Sequence, residues 1–192
     1  MKVTAGFAKG MVVHTPEGRG TRPTSDKVKQ AIWNSLQGVE IDRMLDAFAG
    51  SGGMGLEALS RGVGHVTFVE PDRKAGACIS RNLKELSRRA GAQSIEVGES
   101  VIVARDVEKA NFSGAFDFIF MDPPYEQWAA SGKAWIAHLL PNLTDDGWLV
   151  LESSRQTPLG DDGIAGLKVV KTKTYGDTML TYLRKMESDH ES

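Results

Sequence analysis

The sequence predicts an α/β fold, a mostly parallel sheet in a single domain with an antiparallel edge strand. Three observations carry that prediction. From about residue 44 onward, short apolar runs alternate with helical periodicities, the pattern of parallel strands joined by right-handed crossovers. The first such run ends in a glycine-rich loop that leads into a helix. The last two runs flank a tight-turn signal, which adds an antiparallel pair at one edge. A length of 192 residues suits one domain over 1–192, and 41% apolar with 25% charged residues excludes a mostly disordered chain.

Each element has its own justification. Residues 2–14 read as a small hairpin, two short strands around a glycine-bearing turn. Residues 15–23 contain Pro16, Gly18, Gly20 and Pro23 and form a loop. Thr24 and Ser25 can cap a helix whose Val28, Ile32 and Leu36 fall on one face. Residues 44–48 are a strand, and a helix over about 54–61 stops at Gly62. Residues 66–69 are a strand ending at Glu70. The helix over about 72–90 then stacks Ile79, Leu83, Leu86 and Ala90 in one stripe. Two strand candidates compete next, 94–97 and 101–104, the second running into Arg105 and Asp106. Residues 116–121 are a buried strand ending at Asp122, 129–140 are helical, and 148–152 are another strand. Residues 168–173 and 179–183 form the closing hairpin around Tyr175-Gly176-Asp177. The chain thus divides into an N-terminal hairpin and helix (1–36), a core (37–185) and a frayed polar tail (186–192).

Composition excludes several classes. Cys78 is the only cysteine, so no internal disulfide forms, which suits a reducing cytoplasm. No run of 18 apolar residues exists to span a membrane, and the first 30 residues lack a secretion signal. The four histidines are scattered, so no metal site is expected. A net charge of −2 hides an asymmetry: residues 1–36 carry six Lys and Arg against Glu17 and Asp26. Such a basic arm can hold a phosphate backbone, although a solvated lysine-rich face reads the same way.

Three segments carry chemistry. The first, Asp46-Ala47-Phe48-Ala49-Gly50-Ser51-Gly52-Gly53, joins a strand to a helix, where ligands of open α/β sheets bind. Gly50 and Gly52 let the backbone approach a ligand closely. It is no Walker motif, since no Gly-Lys-Ser/Thr follows, and Asp46 sits where the dinucleotide-binding loop is usually apolar. The second is Glu70, which ends the next strand and can accept hydrogen bonds from ribose hydroxyls. A surface glutamate starting a helix looks the same in isolation. The third, Asp122-Pro123-Pro124-Tyr125, follows a buried strand directly. Its prolines stiffen the backbone and remove two donors. Asp122 and a nearby carbonyl can then both accept from an exocyclic amine, while Tyr125 offers a ring for a base to stack on. Such an amine is a poor nucleophile, and two acceptors in a rigid frame orient its lone pair for attack on a methyl sulfonium.

Asp-Pro-Pro-Tyr after such a strand resembles the fourth motif of amino-group S-adenosylmethionine-dependent methyltransferases, and Asp46 to Gly52 resembles their first. Taken with Thr21-Arg22-Pro23-Thr24-Ser25-Asp26, residues 45–61 (LDAFAGSGGMGLEALSR) and Tyr175-Gly176-Asp177-Thr178, the chain is similar over about residues 1–185 to the bacterial 16S ribosomal RNA guanine-N2 methyltransferase family. The resemblance implies a Rossmann-like, seven-stranded class I methyltransferase fold. It implies that Arg22, Pro23 and Thr24 lie at the methionine end of the cofactor and that Asp46, Ala49, Gly50, Ser51 and Gly52 line its methionine and ribose side. Glu70 would bind the ribose, and Asp106 or Glu99 the adenine amine. Asp122, Pro123, Pro124 and Tyr125 would hold the guanine. The implied partner is 16S ribosomal RNA, free or within an assembling small subunit, and no metal is implied. With no apolar helix stripe left unassigned, the sequence itself favours a monomer, in the cytoplasm that its cysteine usage suits. An adenine-N6 or other amino methyltransferase on DNA or RNA would share the motif, and a silent assembly factor would share the fold. The stretch after Asp106 is short enough to trim a helix beside the adenine. Arg81, Lys84, Arg88 and Arg89 share a helix face that could touch RNA, and Trp128 could flank the base.

Overall fold

Seven strands form one sheet in the computed structural model, which describes residues 1–16, 25–156, 159, 164 and 166–186. In chain order they are β1 (Arg43–Asp46), β2 (His65–Val69), β3 (Glu99–Val103), β4 (Phe116–Met121), β5 (Leu143–Ser154), β6 (Leu167–Tyr175) and β7 (Thr178–Lys185). The spatial order is β3-β2-β1-β4-β5-β7-β6. The first five are parallel neighbours, and β7 lies antiparallel between β5 and β6. The helices are α1 (Asp26–Ser35), α2 (Gly53–Ser60), α3 (Arg73–Gly91) and α4 (Tyr125–Leu139).

Both faces of the sheet are covered, so its central strands are apolar throughout. Successive residues go to opposite faces: Met44, Phe118 and Val150 pack with α1, α2 and α3, while Leu45, Ile119 and Leu151 pack with α4. The chain leaves β1 outward through β2 and β3, then returns to β4 on the other side of β1. That reversal opens a crevice beyond the carboxyl ends of β1 and β4.

Most expected elements are present, with three main differences. The N-terminal hairpin is reduced to one antiparallel bridge, Lys2 with Val12. Its turn spends backbone donors elsewhere: Phe7 N donates to the Ser60 carbonyl and Ala8 N to Ser60 Oγ, at 3.0 and 2.9 Å. The strand is 99–103, and 94–97 pair with nothing regular. After Asp106 the expected short link is a single 3-10 turn, Val107–Lys109. Helix α4 starts at Tyr125 rather than 129, because Pro124 occupies the cap, where a missing N–H costs nothing, and its carbonyl accepts from Gln127 and Trp128. The expected polar tail beyond Met186 lies outside the described residues, as do Arg22, Pro23 and Thr24.

A buried ionic cluster fastens the N-terminal segment to the core. Lys29, fully buried on α1, donates to the Lys2 carbonyl and lies 3.8 Å from Glu57, itself fully buried on α2. Glu57 accepts from Thr4 N and Thr4 Oγ1 at 2.6 and 2.7 Å and from Arg61 Nε at 2.9 Å. One of the six cations of the basic arm is therefore structural. Among the described residues no helix is long and apolar enough to cross a membrane, and no group of three or more potential metal ligands occurs.

Candidate active site

The site is built at the crevice, from the carboxyl ends of four parallel strands. Asp46 ends β1 and is 2% exposed. Its Oδ2 accepts from Gly55 N of α2 at 3.0 Å. Burial pushes its carboxyl up to about 7, against the Gly55 N–H that favours charge, and the neighbouring Glu70 adds to the rise. Glu70 ends β2 and is anchored by backbone on both sides. It accepts from Gly50 N and from Asp72 N, each at 2.8 Å.

The loop between β1 and α2 needs its glycines for different reasons. Gly50 has φ +53°, and a Cβ there would meet nothing within 4 Å, so the left-handed backbone faces open space. Gly52 caps α2 at φ +83°, and a Cβ there would press on Phe68 at 3.2 Å. One keeps the approach to a ligand clear, and the other lets helix and strand pack.

Asp46, Ala49, Gly50, Ser51, Glu70, Asp122 and Pro124 line one cleft of about 280 Å³, with Phe48, Met54 and Phe120 as apolar walls. Met1, Thr15 and Pro16 also line it, so the N-terminal segment closes one side. Tyr125 faces a second cavity, of about 210 Å³, shared with Ser25, Lys27, Glu152, Tyr175 and Thr178. The Asp-Pro-Pro-Tyr segment is therefore the wall between two cavities. Pro123 is buried inside that wall. Asp106 caps the 3-10 turn, exposed and 3.1 Å from Lys109, outside the residues lining the cleft. Glu99 begins β3, at the opposite end of the sheet from the cleft, and is 3.4 Å from His65. Trp128 is 6% exposed in the core beneath α4, so it does not flank a base. On α3, Arg88 and Arg89 both pair with Glu85, at 2.8 and 2.9 Å.

Asn82 was missed by sequence reasoning. Fully buried on α3, it accepts from His14 N at 2.9 Å and donates to the carbonyls of His14 and Ser51 at 3.0 and 3.1 Å. It ties the N-terminal segment to the glycine loop. Its only sequence signal is a polar residue at helical spacing between Ile79 and Leu86.

These residues fit S-adenosylmethionine. A buried carboxylate with a raised pKa gains from a cationic ligand, Glu70 suits ribose hydroxyls, and the open side of Gly50 admits the ligand backbone-close. This strand order, with a glycine loop after β1, a carboxylate after β2 and Asp-Pro-Pro-Tyr after β4, defines the class I S-adenosylmethionine-dependent methyltransferases. Within that class, the chain belongs to the family described as conserved hypothetical protein 95, whose model matches residues 1–184. It is 36% identical over 192 residues to the Bacillus subtilis protein YlbH, covering 96% of this chain and 99% of that one. It is 30% identical over 154 residues to ribosomal RNA small subunit methyltransferase D of Escherichia coli K12, covering 80% of this chain and 71% of that protein. The solved structure of Escherichia coli yhhF superposes with a TM-score of 0.80 at 27% identity, covering 98% and 99% of the two chains. The rRNA methyltransferase aviRa of Streptomyces viridochromogenes shares the fold, with a TM-score of 0.70 at 14% identity and 95% and 92% coverage.

Proposed function

We propose that the protein transfers a methyl group from S-adenosylmethionine to the exocyclic N2 amine of a guanine in the 16S RNA of the small ribosomal subunit. The observation that carries this reading is the position of the Asp-Pro-Pro-Tyr segment between the two cavities: Asp122 borders the cofactor cleft and Tyr125 the other cavity. A base amine entering from the Tyr125 side meets the methyl donor at Asp122. The similarity to ribosomal RNA small subunit methyltransferase D supports the RNA class.

When bound, the cofactor supplies an electrophilic methyl on sulfonium sulfur. The residues of the chain do the rest. Asp46 and Glu70 hold the cofactor's cationic and ribose portions, with Ala49, Gly50, Ser51 and Gly52 shaping the loop around it. Asp106, three residues beyond β3 and outside the cleft lining, is assigned to the adenine edge by resemblance alone, as are Arg22, Pro23 and Thr24, outside the described residues, to the methionine end. Asp122 accepts from the target amine and fixes its lone pair in line with the methyl group, an effect of orientation and electrostatics. Tyr125 stacks on the base, and Pro123 and Pro124 keep the frame rigid. Reaching Asp122 requires the guanine to leave its helical stack, so the target lies in a loop or is flipped out.

The test is methyl transfer from labelled S-adenosylmethionine onto small ribosomal subunits lacking their native methylations, with duplex DNA alongside, followed by nucleoside analysis. Label in N2-methylguanosine from the subunits is expected. Label only in N6-methyladenine from DNA would replace this reading with the adenine one, and cofactor binding without any transfer would point to a silent assembly factor.

A further inference from the structure

We infer that Glu152 reads the N1–H of the target guanine and thereby sets the choice of guanine over adenine. The inference rests on the guanine-N2 reading above and adds to it the residue that enforces the base. It begins with strand register. Met121 of β4 pairs with Leu151 of β5, so Asp122 and Glu152 are the next residues on neighbouring parallel strands. Neighbouring strands lie about 4.8 Å apart. Phe120 and Val150 both pack on the face covered by α1, α2 and α3, and the two-residue period returns Asp122 and Glu152 to that same face. Two carboxylates thus stand side by side, Asp122 just past the end of β4 and Glu152 two residues before the end of β5.

Their surroundings differ in a way that matches one base edge. Asp122 borders the cofactor cleft. Glu152 is 5% exposed and borders the second cavity together with Tyr125 and Tyr175. At about 210 Å³ that cavity suits one flat base rather than a larger ligand, whose pockets run roughly 300–1,000 Å³. Guanine presents N2–H₂ and N1–H as adjacent donors. Asp122 takes the amine that reacts, and the carboxylate one strand away takes the neighbouring N1–H. Adenine presents a bare N1 at that position. Two acceptors facing each other repel, and a site built to bond a donor rejects a base lacking it. Glu152 is a specificity residue here, acting on the base directly.

The experiment uses the full chain and small-subunit particles reconstituted with RNA carrying either guanine or 2-aminopurine at the methylated position. 2-Aminopurine keeps the N2 amine but has no N1–H. The wild-type protein is expected to favour guanine over 2-aminopurine by roughly 10–100-fold in kcat/KM, the value of one hydrogen bond to a charged group. Glu152→Gln, nearly isosteric, can turn its amide donor toward the bare N1. The guanine preference is expected to collapse by the same factor while cofactor affinity, read by calorimetry, stays unchanged. A purely structural Glu152 would lower both rates together and leave their ratio intact. N2-methylguanosine formed with no wild-type preference, or with a ratio unmoved by the variant, overturns the role of Glu152 and leaves the proposed function standing. Absence of any transfer to guanine, or label in N6-methyladenosine instead, overturns both.

Discussion

In the proposed reaction, the cofactor half of the site and the acceptor half are assembled by opposite strategies. The cofactor half is local: Asp46, Gly50 and Glu70 belong to two consecutive strand–loop–helix units, and backbone N–H groups lock their carboxylates in place. The acceptor half is dispersed. Ser25, Tyr125, Glu152 and Tyr175 come from the start of α1, the start of α4 and the ends of β5 and β6, and meet only when the sheet is complete. A half wired by its own backbone can bind its ligand with the other half damaged. The dispersed half depends on the whole fold and, in the proposed reaction, carries the selectivity.

The largest expected effect separates the halves most sharply. Replacing Asp122 by Ala should lower methyl transfer by about 10³-fold or more, since it removes an acceptor aimed at the reacting amine. Cofactor binding measured by calorimetry should persist, because Asp46 and Glu70 keep their partners. Turnover that survives in Asp122→Ala would move the chemistry to another residue.

Next comes the cluster that holds both halves to the N-terminal segment. Glu57→Ala leaves the buried Lys29 ammonium without its buried carboxylate. Breaking such a pair costs roughly 3–5 kcal/mol, and about 3 kcal/mol is expected here because Lys29 keeps Asp26 at 3.4 Å and the Lys2 carbonyl. Urea unfolding followed by circular dichroism checks it. A loss below about 1 kcal/mol would mean that the cluster is not a closed ionic network, since an exposed pair is worth no more than that.

That cluster also shows what sequence could and could not disclose. The strand–loop–helix units were legible because their signals are contiguous: an apolar run, glycines, then a carboxylate at a strand end. The helix cap at Ser25 and the closing hairpin were legible for the same reason. Glu57 and Lys29 were not, because a charged residue on a helix is nearly always solvated, and only tertiary packing shows that both side chains are buried. Asn82 was invisible for the same reason. The N-terminal hairpin was legible in outline, its arms joined by Val3 N to the Met11 carbonyl and Val13 N to the Met1 carbonyl, but the pinning of its turn by Ser60, more than fifty residues away, was not. The start of α4 at Tyr125 was hidden because the paired prolines were read only as a stiff, donor-poor turn, whereas Pro124 serves as the helix cap. The pairing of Asp122 with Glu152 depends on register between two strands, which no local pattern encodes.

The third prediction concerns the cofactor half alone. With a carboxyl at about 7 in the folded protein and about 4 in the unfolded chain, Asp46 holds a proton in the native state that the unfolded chain has released. Raising pH from about 4 to 7 therefore costs stability, and the penalty is complete above about 7. Asp46→Asn removes it. The variant should match wild type near pH 4 and exceed it at pH 8 by about 2 kcal/mol, under a ceiling of about 4 kcal/mol set by that displacement. Cationic cofactor favours the charged carboxylate, so binding near pH 6.5 should release a proton, seen as a buffer-dependent heat in calorimetry. Identical pH–stability curves for the two proteins would place the Asp46 carboxyl in its ordinary range.

The smallest effect tests whether the acceptor half works by stacking. Tyr125 is 41% exposed, as expected for a ring waiting on a surface for a base rather than packed in the core. Stacking is worth roughly 1–3 kcal/mol per base, and partial exposure points to the lower end, so Tyr125→Ala should cost about 10-fold in kcat/KM for the RNA. Tyr125→Phe keeps the π-face and should stay close to wild type. Neither change should alter cofactor affinity, because the ring lines the other cavity. If Phe is as damaging as Ala, the hydroxyl rather than the ring holds the base, and the acceptor half recognises its target through hydrogen bonds at both Tyr125 and Glu152. If Ala costs nothing while Glu152→Gln still erases the guanine preference, base choice and base stacking are separable, and the edge-reading carboxylates alone define the acceptor half.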